Sequence, residues 1–337
     1  MAKPVWVRGD LEQQGTLESR PYCTECSANN VCGAQLAHNA CRPDNHLLGL
    51  GHPLDESTWP RLREIGGWEL SDIIALPVRL PALPAHLPVV EPRGIGVGSD
   101  RPILAVTLKD AFDASGSAIK ARTLRARLHL RSDAKLVLLC TGPDRLLARA
   151  LDHSLPNLLD AIATGGFDAV SGLATSIYRD YPAMENLLSL KEGLLTCRQM
   201  QERGIPAFPM FGFSTALDIT RVAKWLHDNP CVRTIGLDFQ DAKAPLEWAF
   251  QVNAFRSLVT AGPKDIHYLV KGPSAERRIR SLFKLTKQLT IATQQADMLA
   301  TLRGKLFPNK AKRWIFTREC KRLDRTCADA KSVSIED

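Results

Sequence analysis

Gly204-Ile-Pro-Ala-Phe-Pro-Met-Phe211 opens the stretch whose reading decides the fold, and Lys271-Gly272-Pro273 closes it. Inside it, apolar runs alternate with helical segments. Thr220 to Asp228 carries Val222, Ala223, Trp225 and Leu226 at helical spacing, and Val232-Arg-Thr-Ile-Gly-Leu237 then ends on Asp238. Leu246 to Leu258 reads as the next helix, followed by the run Ile266-His-Tyr-Leu-Val270. Short runs without polar alternation belong to strands buried on both faces, and their alternation with helices marks βαβ units of a parallel sheet. Such sheets place ligands at the carboxyl ends of their strands, which here carry Ser214, Asp238, Gln240 and Lys271.

The pattern continues outward. Ile103–Leu108 ends on Lys109-Asp110, Leu136–Cys140 ends on Thr141-Gly-Pro-Asp144, and Phe167–Val170 runs into Ser171-Gly172. Helices are expected over Ile119–Leu130, Leu155–Ala163 (closed by Gly165-Gly166) and Glu185–Arg203. Leu289-Thr-Ile-Ala292 adds a last strand. About seven strand candidates point to an α/β fold of the (β/α)8 TIM-barrel type, complete or short of a strand, in preference to a large open sheet.

Four segments follow: a Cys-rich metal-binding module over 1–60, a Pro-rich linker or wrapping segment over 61–102, the barrel over 103–303, and a basic tail over 304–337. Within the first, Cys23, Cys26, Cys32 and Cys41 are spaced C-x2-C-x5-C-x8-C. The two-residue turn brings one pair of thiolates to a single point, and two more complete a closed set of four soft ligands. Zinc is the expected metal and an iron–sulfur cluster the alternative, with His38, His46 and His52 as substitutes for one Cys. Gly94-Ile-Gly-Val-Gly98 lacks the third spaced Gly of a dinucleotide loop and precedes a strand, so it reads as a turn.

The start of the chain has no secretory h-region, and no apolar run reaches the roughly 18 residues a membrane span needs. A cytoplasmic location without membrane contact is therefore expected, and nine cysteines there argue for metal binding over a disulfide scaffold. A net charge of +8 makes polyanions reasonable partners. Lys310, Lys312, Arg313, Trp314, Arg318, Lys321 and Arg322 interleave cations with an aromatic, a pattern that neutralises phosphates while stacking bases. The bland reading is a helix packed on its aromatic side with a solvated basic face.

Ser176-x-Tyr178-x-Asp180-x-Pro182, a helix and Gln201-x-x-Gly204-Ile-Pro206 resemble a family of uncharacterised proteins from phages and mobile elements. Ile266 to Gly272, a helix, and Thr290-Ile-Ala-Thr-Gln-Gln295 are similar to the last two strands of the queuine/archaeosine transglycosylase barrels and their DNA-acting deazapurine relatives. That resemblance implies base exchange, hence nucleic-acid or DNA modification, through a carboxylate nucleophile. The chain departs from it with Thr293-Gln294-Gln295 where the nucleophilic Asp belongs, and Asp297 stands three residues beyond Gln294. An amide cannot form the covalent intermediate.

Whatever the family, glycosidic chemistry needs a carboxylate and a proton-transfer partner. Asp110, Asp144 and Asp238 follow strands and could converge at one mouth, with Lys271 holding a phosphate or tuning a carboxylate. Each Asp alone is more often a helix N-cap at a βα junction. Three functions stand side by side: a nucleic-acid-acting, transglycosylase-like or hydrolase-like enzyme; a non-catalytic nucleic-acid-binding accessory subunit on a degenerate barrel; and a small-molecule barrel enzyme with a structural metal clip. Protein partners in a larger assembly are compatible with each.

Overall fold

Strand positions follow the apolar runs. The computed structural model describes residues 61, 63–67, 69–90, 101–111, 121–142, 155–174, 177, 183–294, 322, 324–329 and 331. Two compact units emerge: Met1–Glu69 with Ile177–Lys191 and Phe213–Asp218, and Leu70–Ser176 with Glu192–Gly212 and Ile219–Asp337.

The second unit holds every strand among the described residues: β1 (His86–Pro88), β2 (Ile103–Thr107), β3 (Lys135–Leu139), β4 (Ala169–Ser171), β5 (Ala207–Phe208), β6 (Met210–Phe211), β7 (Thr234–Asp238), β8 (His267–Lys271) and β9 (Leu289–Thr293). Pairing is parallel throughout, in the orders β2-β3-β4-β5 and β1-β9-β8-β7-β6. Two seams join these sheets into a ring. At one, Val89 pairs with Ala105, and the Val90 N–H donates to the Ala105 carbonyl at 2.8 Å. At the other, Pro209 divides a single run. Residues 207–208 face β4, residues 210–211 face β7, and the Pro209 carbonyl accepts from the Gly236 N–H at 2.8 Å. Proline has no N–H to continue a ladder, so one strand divides into two segments at Pro209. Counted as one, they make a closed barrel of eight strands among the described residues.

Seven of these strands coincide with the sequence expectation. The eighth, β1, comes from Ala85-His-Leu-Pro-Val-Val90 within the Pro-rich segment. Its Val89 N–H donates to Thr293 of β9, and Pro88 has no amide to contribute.

Alternate residues point inward. Leu87, Val89, Ile103, Ala105, Val137, Leu139, Ala169, Phe208, Met210, Leu269 and Ala292 fill the barrel interior. Gly236 makes room among them: a Cβ there would lie 1.9 Å from Met210 Sδ. Each fully buried aliphatic side chain contributes roughly 1.5–3 kcal/mol.

Among the described residues, six α-helices alternate with the strands: α1 (Ala121–Arg127), α2 (Leu155–Gly165), α3 (Ala183–Glu202), α4 (Ala216–Asp228), α5 (Pro245–Ala261) and α6 (Glu276–Phe283). Past the end of α2, Gly166 takes φ 76°, the left-handed geometry that a glycine supplies without strain. Helix α4 buries Val222, Trp225 and Leu226 and turns Lys224 to solvent, as an amphipathic stripe requires. Residues 70–76, from the Pro-rich segment, are held by side chains: Trp225 Nε1 donates to Ile73 O at 2.8 Å, while Asn229 and Gln201 accept from the Ala75 and Leu76 amides. Helical residues 324–329 are tied to β1, since Asp324 accepts from His86 Nδ1 (3.1 Å) and from Arg101.

In the first unit, the Ser214 and Thr215 amides donate to Asp218 Oδ2 (3.0 and 2.8 Å), and the Asp218 N–H donates to Thr215 Oγ1. This reciprocal box starts α4, so Ser214 serves a helix start. Fully buried Lys191 donates to the Gly66 carbonyl at 3.3 Å.

Candidate active site

Parallel strands all end on the same rim of a barrel, and there the alternation that buries Leu269 turns Lys271 inward, at the last position of β8. Lys271 is 4% exposed. An ammonium taken out of water needs partners. Its Nζ donates to Gln240 Oε1 at 2.5 Å and lies 3.3 Å from Asp238 Oδ2. Register explains the meeting, because Asp238 and Lys271 are opposed residues of β7 and β8. The other oxygen of Asp238 accepts the Gln240 N–H at 2.8 Å, an Asx turn that folds the chain back over the strand end. One carboxylate thus shapes the turn and holds the ammonium, while the turn delivers the second acceptor.

These three side chains border a cavity of about 320 Å³ at the carboxyl ends of the strands. Thr107 and Lys109 reach it from the end of β2, Thr141 from beyond β3, Asp241 from the turn after β7, and Gln294 from beyond β9. The Thr141 hydroxyl is buried without a hydrogen-bond partner. A ligand oxygen in the cavity would relieve the roughly 1–3 kcal/mol that such a group costs. Nearby Cys140 is no nucleophile: burial, with a smaller contribution from Cys197, pushes its thiol far above the usual range. Burial pushes the Cys197 thiol up to about 12.

Of the four proposed catalytic residues, the structure brings Asp238 and Lys271 together. Asp110 sits on the single 3-10 turn Leu108–Asp110 after β2 and is 8% exposed. Its carboxylate accepts from the Thr107 hydroxyl at 2.5 Å. Asp144 lies outside the described residues, as do Cys23, Cys26, Cys32 and Cys41 and the loop residues Ser176, Tyr178, Asp180 and Pro182. Among the tail residues, Lys310, Lys312, Arg313, Trp314, Arg318 and Lys321 also lie outside them, and Arg322 is an exposed helical residue. No group of metal-ligating side chains is found among the described residues. Sequence reasoning missed Thr107, Thr141, Asp241 and Gln294; each stands at or just past a strand end, which is the signal that could have found them.

A second cavity, of about 540 Å³, lies at the amino ends of β5, β7 and β8, beneath Leu76 to Leu83. His267 borders it. Its Nε2 is 2.8 Å from Thr290 Oγ1, whose one proton goes to the Pro84 carbonyl (2.5 Å), so Nε2 carries the hydrogen. Burial, helped by the charge of Lys331, pushes the His267 pKa down to about 4. His267 is thus a wall residue of this cavity.

No family model matches the chain, and no curated protein matches it. Solved structures do. The YdjI aldolase from Escherichia coli K12 is 12% identical over 74% of this chain and 94% of its own, with a TM-score of 0.46. A structure described as native KDPGal is 12% identical over 77% and 100% (TM-score 0.43), and a tryptophan synthase alpha chain from Legionella pneumophila is 10% identical over 82% and 98% (TM-score 0.44). None of these three reaches 0.5. The barrel rests on this chain's own strand pairing.

The family resemblances are corrected. Neither the transglycosylase family nor the phage and mobile-element family is carried by a sequence match, and the solved structures matched include aldolases, a tryptophan synthase alpha chain and a putative lactate oxidase. The site gives a physical reason on the transglycosylase side: Gln294, an amide, borders the mouth where that chemistry calls for a carboxylate nucleophile. Nucleic-acid action, zinc and DNA modification find no support in these comparisons. No helix among the described residues is long and apolar enough to cross a membrane.

Proposed function

We propose that the chain is a small-molecule barrel enzyme whose mouth carries out proton abstraction next to a carbonyl. The observation that carries this is the ammonium of Lys271 beside the carboxylate of Asp238, inside a cavity at the carboxyl ends of the strands. Asp238 takes a proton from the carbon adjacent to the carbonyl, the C–H electron pair forms a C=C bond, and the C=O π pair moves onto the oxygen. Lys271 faces that oxygen as its negative charge develops, in the place that Gln240 Oε1 holds in the free protein. Thr141 offers an unclaimed hydroxyl to the substrate's remaining oxygens. Two acceptors, Asp238 Oδ2 and Gln240 Oε1, already face the Lys271 amine, an arrangement suited to an electrostatic role.

The test is deuterium uptake from heavy water into a panel of small 2-oxo acids and hydroxyketones, followed by NMR. Wild-type protein should exchange at least one of them, and Lys271→Met and Asp238→Asn should each lower the rate by about 100-fold or more. Exchange that is absent, or equal in the variants, sinks the reading. A borohydride-trapped substrate adduct on Lys271 would show covalent work and overturn the electrostatic assignment.

A further inference from the structure

The turn that delivers Gln240 to Lys271 is held from outside the mouth. Arg278, on α6, donates from Nη1 to the Ala242 carbonyl and from Nη2 to the Lys243 carbonyl, both at 2.8 Å. Its guanidinium lies 4.6 Å over the ring of Trp248. Trp248 in turn meets Phe239 edge-on, with centroids 5.8 Å apart. One planar cation therefore grips two consecutive carbonyls of the connection 239–244 while stacking on the helix that follows, a bidentate geometry that lysine cannot reproduce. From the other side, Gly272 lets the backbone come close. It has φ 116°, and a Cβ there would stand 2.7 Å from Gln240 Cα. Gln240 itself is exposed, so its place on the buried amine depends on the backbone beneath it.

We propose that Arg278 is a positioning residue for the mouth: by clamping the Ala242 and Lys243 carbonyls, it keeps Gln240 seated on Lys271 and so sets the access of that amine. The functional meaning rests on the working role of Lys271. The geometry is testable without any substrate.

The full-length chain is treated with a lysine-acylating reagent, and the rate at Lys271 is read by mass spectrometry beside amide hydrogen exchange over 239–244. Arg278→Lys should raise both by about tenfold while the other lysines and the barrel strands keep their wild-type rates. Gln240→Ala, which leaves the clamp intact, should accelerate Lys271 alone. Two results overturn the proposal. In one, Arg278→Lys loosens 239–244 while Lys271 keeps its rate, which makes the guanidinium a backbone tie only. In the other, Gln240→Ala leaves Lys271 as slow as before, and that outcome counts even where the Arg278 variant fails to fold. Neither result bears on whether Lys271 and Asp238 perform carbonyl chemistry, which the deuterium experiment reads separately.

Discussion

His267 is a half-buried imidazole that folding keeps neutral. Its folded pKa, about 4, lies below the ordinary 6.5. The unfolded chain therefore binds the extra proton first as pH falls. Stability is unaffected by this group above about pH 6.5, declines by up to roughly 3 kcal/mol between there and about pH 4, and then levels off. Denaturant unfolding at a series of pH values should show that slope in wild type and a flatter one in His267→Gln. Equal slopes would mean that other groups set the acid limit. At this same scale, the sequence put Lys271 and Asp238 at strand ends, because the apolar runs stop there; their opposition comes from the register of β7 and β8. It gave no warning that Gln240 would lie on the amine. That contact depends on an Asx turn and on an arginine some forty residues further along the chain.

Among elements, β1 is the one whose neighbours matter most. Its inward residues Leu87 and Val89 join the core, and His86 on its other face meets Asp324 together with Arg101. Burial alone would push the Asp324 carboxyl up. The hydrogen bonds from His86 and Arg101 outweigh it and hold its pKa below the usual carboxylate value. A lowered folded pKa means stabilisation that is present above the ordinary carboxylate range and lost as pH falls through the folded value. Asp324→Ala should therefore speed amide exchange in 324–329 at neutral pH and leave β7 and β8 protected. Unchanged exchange in 324–329 would show that packing of Cys327, not the ion pair, holds the helix. This strand was also the hardest to read in sequence. Two prolines in five residues outweigh a short apolar run in any propensity argument, yet the ring supplies the pairing that the prolines cannot. The other seven strands were legible because burial on both faces leaves an uninterrupted apolar signature.

For the whole molecule, the chemistry of the chain divides between a barrel with a polar mouth and a cysteine cluster far off in sequence. The C-x2-C-x5-C-x8-C spacing of Cys23, Cys26, Cys32 and Cys41 predicts one zinc per chain in colourless protein, lost in a Cys23→Ser, Cys26→Ser double variant. A brown protein with iron and sulfide would replace zinc with a cluster, and metal-free protein would remove the site. The excess of positive charge suggested nucleic acid, but charge is a property of surfaces and the mouth is a property of strand ends. Net charge could not say which of the two carries the function.

The seams at Val89 and Pro209 have a last consequence. Every strand of the ring has a hydrogen-bonded neighbour on each side, whichever strands the chain joins directly. A protease nick in one connection would cut the chain without opening the ring. The two fragments should then elute together on a sizing column as a heterodimer made from a single polypeptide, and their separation would show that the cut connection holds the ring.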